Sequence, residues 1–223
     1  MLTGGSEQLH QPRLLPEPNQ HDPSTTPRVL TILSHVLEKL VTRNDDLLRH
    51  GGGSAGKTLS AFDGVRAPAI SLEKYVERIY KYTGCSPSCF VVGFVYIDRL
   101  VHKYPGSLLV SLNVHRLLVT SVMVASKILD DVHYNNAFYA RVGGVSNVEL
   151  NKLELELLFL LDFGVCVSSR VFETYCQHLE KEMLSCNGAT IDRPSAIINS
   201  IDDVTEISME DNTQSSSTST PLD

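Results

Sequence analysis

Residues 114–129, VHRLLVTSVMVASKIL, decide which fold this sequence can adopt. Apolar side chains fall on nearly every side of a helix drawn through this stretch, and Lys127 is a charged exception in its last turn. A helix that is apolar all round must be packed by neighbours on several faces. The stretch therefore predicts an all-α domain built around one buried central helix.

Helical periodicity and capping signals predict further helices on both sides of the central one. Ser86-Pro87 is a cap followed by proline, and Ser146 with Glu149 three residues later is a capping-box pattern. The predicted helices begin near Pro27, Ser71, Pro87, Val114, Asn136, Ser146 and Arg170. We expect about five helices in one domain, with one flanking helix at each end.

Composition divides the chain into a helical body and two tails. Residues 1–26 are rich in proline, and residues 186–223 contain 12 Ser or Thr and seven acidic residues, so we expect both tails to be disordered. Between them we expect an N-terminal helix and Gly-rich linker at 27–66, the main domain at 67–165 and a C-terminal helix at 166–185.

The acidity of the chain lies in its tails. The formal charge is −7, yet residues 27–185 carry 17 basic and 16 acidic residues, about +1. A nearly neutral body lacks the clustered cations that phosphate backbones require, so we expect no nucleic-acid partner.

The sequence also gives no indication of a membrane or secreted protein. No uncharged apolar run approaches the roughly 18–20 residues of a membrane span, and no signal-peptide pattern precedes the body. We expect a protein of the nucleus, the cytoplasm or both. Its five cysteines are expected as reduced thiols with no metal site.

One segment matches a nucleotide-binding motif. GGGSAGKT at residues 51–58 begins with Gly51, ends with Lys57 and Thr58, and fits the phosphate-binding loop GxxxxGK[ST]. Such a loop needs a strand before it and a helix after it, and neither is predicted here. We interpret the segment as a linker, with nucleotide binding as the less favoured alternative.

Catalysis has no support in the sequence. No Ser, Cys or His arrangement suggests a nucleophile with its base, so we expect neither enzymatic activity nor a cofactor. Asp130, Asp131 and His133 are close in sequence, but we interpret them as a polar helix end.

Two charged residues are better candidates for function. Lys127 lies on the apolar central helix, and Glu154 lies in a Leu-rich helix, one turn from Leu150 and from Leu158. Each could extend to water at the edge of the core. Alternatively, the two could frame an apolar patch and bind backbone groups of a partner.

Several ordered motifs resemble the cyclin box. They are FVYIDRL at 94–100, VASKILDD at 124–131, LE at 153–154 and LLDF at 160–163. CSPSCFVV at 85–92 and HYNN at 133–136 narrow the resemblance to the plant U-type, or P-type, cyclins, which are similar to the yeast phosphate-response cyclin. One feature departs from mitotic-type cyclins, because APAIS at 67–71 lacks their substrate-docking arginine.

The resemblance implies a non-catalytic subunit that binds and activates a cyclin-dependent protein kinase, in cell-cycle control or in phosphate or nutrient signalling. Lys127 and Glu154 fall where cyclins keep their kinase-contacting pair. The kinase-binding face implied by the resemblance comprises Val124, Lys127, Ile128, Glu154, Leu158 and Val165. A cyclin-fold adaptor in transcription is the alternative from another class of protein.

Two threonines at the edges of the tails precede proline. Thr26-Pro27 and Thr220-Pro221 are minimal proline-directed phosphorylation sites. We therefore predict Thr26 and Thr220 as phosphorylation candidates.

Overall fold

The computed structural model describes residues 26–50 and 57–186, which are helical almost throughout. The α-helices are α1 Arg28–His50, α2 Leu72–Thr83, α3 Pro87–Lys103, α4 Val114–Leu129, α5 Asn136–Gly143, α6 Asn147–Leu160 and α7 Ser169–Cys186. A short 3₁₀ helix spans Lys57–Phe62, and no strand occurs among the described residues. The predicted all-α class is confirmed, while most of both tails and residues 51–56 lie outside the described residues.

Local capping explains where several helices begin and end. The Ser71 side chain accepts a hydrogen bond from the backbone N–H of Lys74 at the start of α2, and Gly84 ends that helix in the left-handed conformation, with φ +59°. Ser146 Oγ accepts from the N–H of Glu149 at 3.1 Å, which is the first half of the predicted capping box. The Glu149 carboxylate instead accepts from Arg116 Nε of α4 at 2.7 Å, so it ties α6 to the central helix.

Helix α4 is the central helix that its sequence predicts. Twelve of its residues are buried, from Val114 to Ser126, and it contacts α2, α3, α5 and α6. Helices α1 and α7 pack against each other and against α3, and α1 also packs against α2. Among the helices of residues 26–50 and 57–186, none combines the length and apolar composition of a membrane span.

The crossing of α3 over α4 depends on a glycine. A Cβ atom added at Gly93 would lie 3.2 Å from Val122 N and 3.3 Å from Ser121 C, both backbone atoms of α4. We expect Gly93→Val to lower the free energy of unfolding by about 1–3 kcal/mol, because a packed backbone cannot move aside cheaply. Urea unfolding measures this loss. Gly106→Val is the matched control, since nothing lies within 4 Å of a Cβ there, and equal stability losses in both variants would contradict the prediction.

A buried histidine at the start of α4 makes stability depend on pH. His115 Nε2 lies 3.1 Å from Ile70 O, and its ring packs edge-on against Tyr75. Burial lowers the pKa of His115 below its usual 6.5, although the bond to Ile70 O opposes the shift. The unfolded chain therefore binds a proton first as pH falls. The contribution of the neutral imidazole to stability is complete above pH 6.5 and is lost as pH falls from there towards the lower folded pKa.

We expect His115→Gln to reduce this acid sensitivity, because glutamine keeps an N–H donor for Ile70 O but does not titrate. Urea unfolding of both proteins at several pH values below 7 measures the difference in slope. Parallel pH profiles for the two proteins would contradict the prediction.

Candidate functional site

The structure brings Lys127 and Glu154 into direct contact. Lys127 Nζ, in the last turn of α4, donates to Glu154 Oε1, in the middle of α6, at 2.5 Å. The side chains are 27% and 17% exposed, so the pair lies at the surface edge of the core. We call Lys127 and Glu154 the charged pair. The sequence predicts both residues for one site, but it does not predict that they bind each other.

A third helix reaches the charged pair through Asn136, an asparagine that no sequence pattern distinguishes as a site residue. Asn136, the first residue of α5, donates from Nδ2 to Glu154 Oε2 at 2.6 Å and to Asn151 Oδ1 at 2.8 Å. Both carboxylate oxygens of Glu154 therefore accept hydrogen bonds inside the chain. Each keeps further acceptor capacity, as the Lys127 ammonium keeps donors, for a partner's backbone groups.

The apolar residues predicted for the same face differ in their exposure. Ile128 is 50% exposed and follows Lys127 directly, while Leu158 and Val165 are half-buried. Val124 is 3% exposed and packs in the core. Val124 therefore lies one turn before Lys127 on the buried side of α4 and supports the face from beneath, and its part in kinase binding stays a prediction.

A row of exposed apolar side chains on α6 and the loop after it is absent from the face predicted above. Leu155, Phe159 and Phe163 are 56%, 63% and 58% exposed, and we call these three residues the apolar stripe. The rings of Phe159 and Phe163 meet edge-on at 5.3 Å between centroids. Leu155 and Phe159 are four residues apart and lie opposite the buried Leu153 and Leu157, so this spacing indicates an exposed apolar row on α6. Contiguous exposed apolar surface marks interaction sites.

The loop after α6 presents Phe163 in an unusual backbone conformation. Asp162 and Phe163 have φ values of +49° and +59°, in the left-handed region that costs a non-glycine residue about 1–2 kcal/mol. Arg99 Nη1, from α3, donates to Gly164 O at 2.7 Å, and Tyr96 OH donates to Val165 O at 2.6 Å. These α3 side chains hold the loop in place, so the exposed position of Phe163 is built into the fold.

The same loop carries an ion pair with the end of α3. Lys103 Nζ donates to the Asp162 carboxylate and, at 3.0 Å, to Leu160 O. The hydrogen bond that Lys103 donates to Asp162 raises the pKa of Lys103. The pair adds a third contact between α3 and the loop that carries Phe163.

The nucleotide-binding motif lies in a helical context. Helix α1 continues to His50 before it, and Lys57 and Thr58 begin the 3₁₀ helix Lys57–Phe62 after it. Residues 51–56 lie outside the described residues. A helix before the motif and one short 3₁₀ helix after it are not the strand and α-helix that hold a bound nucleotide's phosphates.

The acidic end of α4 has a structural role. Asp130 Oδ2 accepts from Ser86 N at 3.1 Å and from Cys89 Sγ at 3.3 Å, which joins the end of α4 to the start of α3. Across residues 26–50 and 57–186, no three His, Cys, Asp or Glu side chains are placed to hold a metal ion. Asp130 therefore stabilises the junction between the end of α4 and the start of α3.

The structure describes only one of the two phosphorylation candidates. Thr26 is half-buried and lies two residues before α1, while Thr220 lies outside the described residues. Both stay predictions.

Comparisons with known proteins give a consistent result. Residues 27–165 match the family model described as cyclin. The chain is 69% identical over 183 residues to Cyclin-U1-1 of Arabidopsis thaliana, across 82% of this chain and 86% of that protein. It is 48% identical over 162 residues to Cyclin-U4-1 of Arabidopsis thaliana, across 73% and 79% of the two chains. It is 46% identical over 182 residues to Cyclin-P3-1 of Oryza sativa subsp. japonica, across 82% and 75%. These matches confirm the resemblance drawn from the sequence motifs.

Proposed function

The chain belongs to the cyclin family, among its U- and P-type plant members, and from this premise we propose that it binds and activates a cyclin-dependent protein kinase. As a cyclin it is a regulatory subunit. In our proposal the kinase performs phosphoryl transfer, and this chain contributes no catalytic residue. We place this activity in the nucleus or the cytoplasm, in cell-cycle control or in phosphate or nutrient signalling.

The observation that carries the proposal is the charged pair beside the apolar stripe. Lys127 and Glu154 are held at the edge of the core, the half-exposed Ile128 follows Lys127 directly, and the stripe begins at Leu155, next to Glu154. An apolar patch with fixed polar groups at its edge suits a helical partner, whose side chains bury the patch while its backbone ends meet the charges. The resemblance to other cyclins suggests that this partner is the αC helix of the kinase.

Kinase activation follows if this chain binds the αC helix in only one of its two orientations. A protein kinase positions the ATP phosphates only when its αC glutamate pairs with the lysine of its third strand. A surface that binds αC in this inward position, and not when it is rotated away, shifts the kinase population towards the active state. The charged pair selects the helix orientation, and the stripe supplies most of the binding free energy.

Isothermal titration against a panel of recombinant plant cyclin-dependent kinase catalytic subunits tests the proposal. We expect at least one member to bind with micromolar or tighter affinity, and its activity on a protein substrate to rise on addition of the chain. We call the tightest-binding member the probe kinase. Absence of binding across the panel would contradict the proposed function, and binding without activation would contradict the αC mechanism.

A further inference from the structure

Glu154 is held by a polar group from each of two neighbouring helices. Lys127 of α4 bonds to Oε1, and Asn136 of α5 bonds to Oε2. A carboxylate with a single donor can rotate about its last torsion, whereas donors on both oxygens fix its plane. The direction in which Glu154 presents its oxygens is therefore set by α5 as well as by α4.

Asn136 is itself held in place. Its Nδ2 group has two hydrogens, which match two acceptors: Asn151 Oδ1 at 2.8 Å and Glu154 Oε2 at 2.6 Å. Asn151 lies on α6 one turn before Glu154, and Asn136 begins α5. The amide thus bridges two residues on the same side of α6, and the assignment of nitrogen and oxygen follows because only the NH₂ end can donate to a carboxylate.

We propose that Asn136 and Asn151 form a clamp that positions Glu154 for the kinase, so that the charged pair is set before the partner arrives. This inference rests on the proposed function. Neither asparagine needs to touch the kinase, since both act through Glu154. A preset charged pair spares the complex the loss of side-chain freedom that ordering a mobile glutamate would require.

The test is a double-mutant cycle on the affinity of the full chain for the probe kinase. We expect Asn136→Ala to weaken binding about three- to tenfold and Asn151→Ala about twofold, since the latter removes only the outer support of the clamp. In a Glu154→Ala background, Asn136→Ala should cause no further loss, because there is no carboxylate left to position. A purely structural role would give the same loss in both backgrounds.

A second substitution separates the clamp from helix stability. Asn136→Asp has the same shape, removes both N–H donors and places a negative charge against Glu154. An acidic residue in the first turn of α5 favours that helix and offsets part of this repulsion, so the melting temperature should fall no further than in Asn136→Ala while the affinity falls at least as far. Asn147→Ala is the matched control, an exposed asparagine at the first position of α6, and should keep full affinity.

The outcomes separate the clamp from the proposed function. Full affinity of Asn136→Ala, or an equal loss in the presence and absence of Glu154, overturns the clamp while the kinase site stands. Full affinity of Glu154→Ala overturns the site itself, and the clamp with it. A loss in Asn136→Ala that disappears in the Glu154→Ala background supports both.

Discussion

Replacing Lys127 or Glu154 by alanine should weaken binding of the probe kinase by about ten- to a hundredfold. Each removal leaves backbone groups of the kinase buried without a partner, which costs about 1–3 kcal/mol, and tenfold in affinity corresponds to about 1.4 kcal/mol. Kinase activation should fall in parallel. Isothermal titration of each variant, with an activity assay beside it, measures both effects.

The free chain should lose little stability in the same variants. The charged pair is partly exposed, and such pairs contribute about 1 kcal/mol or less. For a chain of this size that corresponds to roughly 2–4 °C in melting temperature. Lys152→Ala and Glu156→Ala are matched controls on α6, one turn or less from Glu154, and should bind as the unchanged chain does. Unchanged affinity in both Lys127→Ala and Glu154→Ala would show that the pair only supports the edge of the core.

Removing the two rings of the apolar stripe should have the largest effect on binding. Phe159 and Phe163 are each more than half exposed in the free chain. Burying a phenylalanine side chain contributes about 1.5–3 kcal/mol, so the double change Phe159→Ser with Phe163→Ser should weaken binding about a hundredfold or more. The same titration measures this loss.

Stability again distinguishes a contact role from a packing role. Both rings face solvent, so the double variant should melt within a few degrees of the unchanged chain, as is usual for surface substitutions. Val65→Ser is the matched control, because Val65 is fully exposed but lies before α2, away from the stripe. A variant that keeps full affinity would remove the stripe from the kinase face and leave Ile128, Leu158 and Val165 as its apolar part.

The sequence alone determined the helices and the central position of one of them. Capping and helical periodicity depend on residues within one or two turns, so Ser71 and Ser146 begin their helices as the local pattern predicts. The burial of α4 follows equally directly, because a helix that is apolar on all sides cannot face water. The cyclin resemblance rests on motifs in these helices and in the loops beside them, and Lys127 and Glu154 stand out in the sequence as charged residues in apolar helices.

Only the tertiary structure decided how those residues are used. Lys127 and Glu154 are 27 positions apart, and whether they meet depends on how α4 and α6 pack together. The same packing placed Asn136 beside Glu154, turned Glu149 towards Arg116 and buried Val124. A single helix period cannot specify such contacts, since each is set by the angle and distance between two helices, which many side chains across the core determine together.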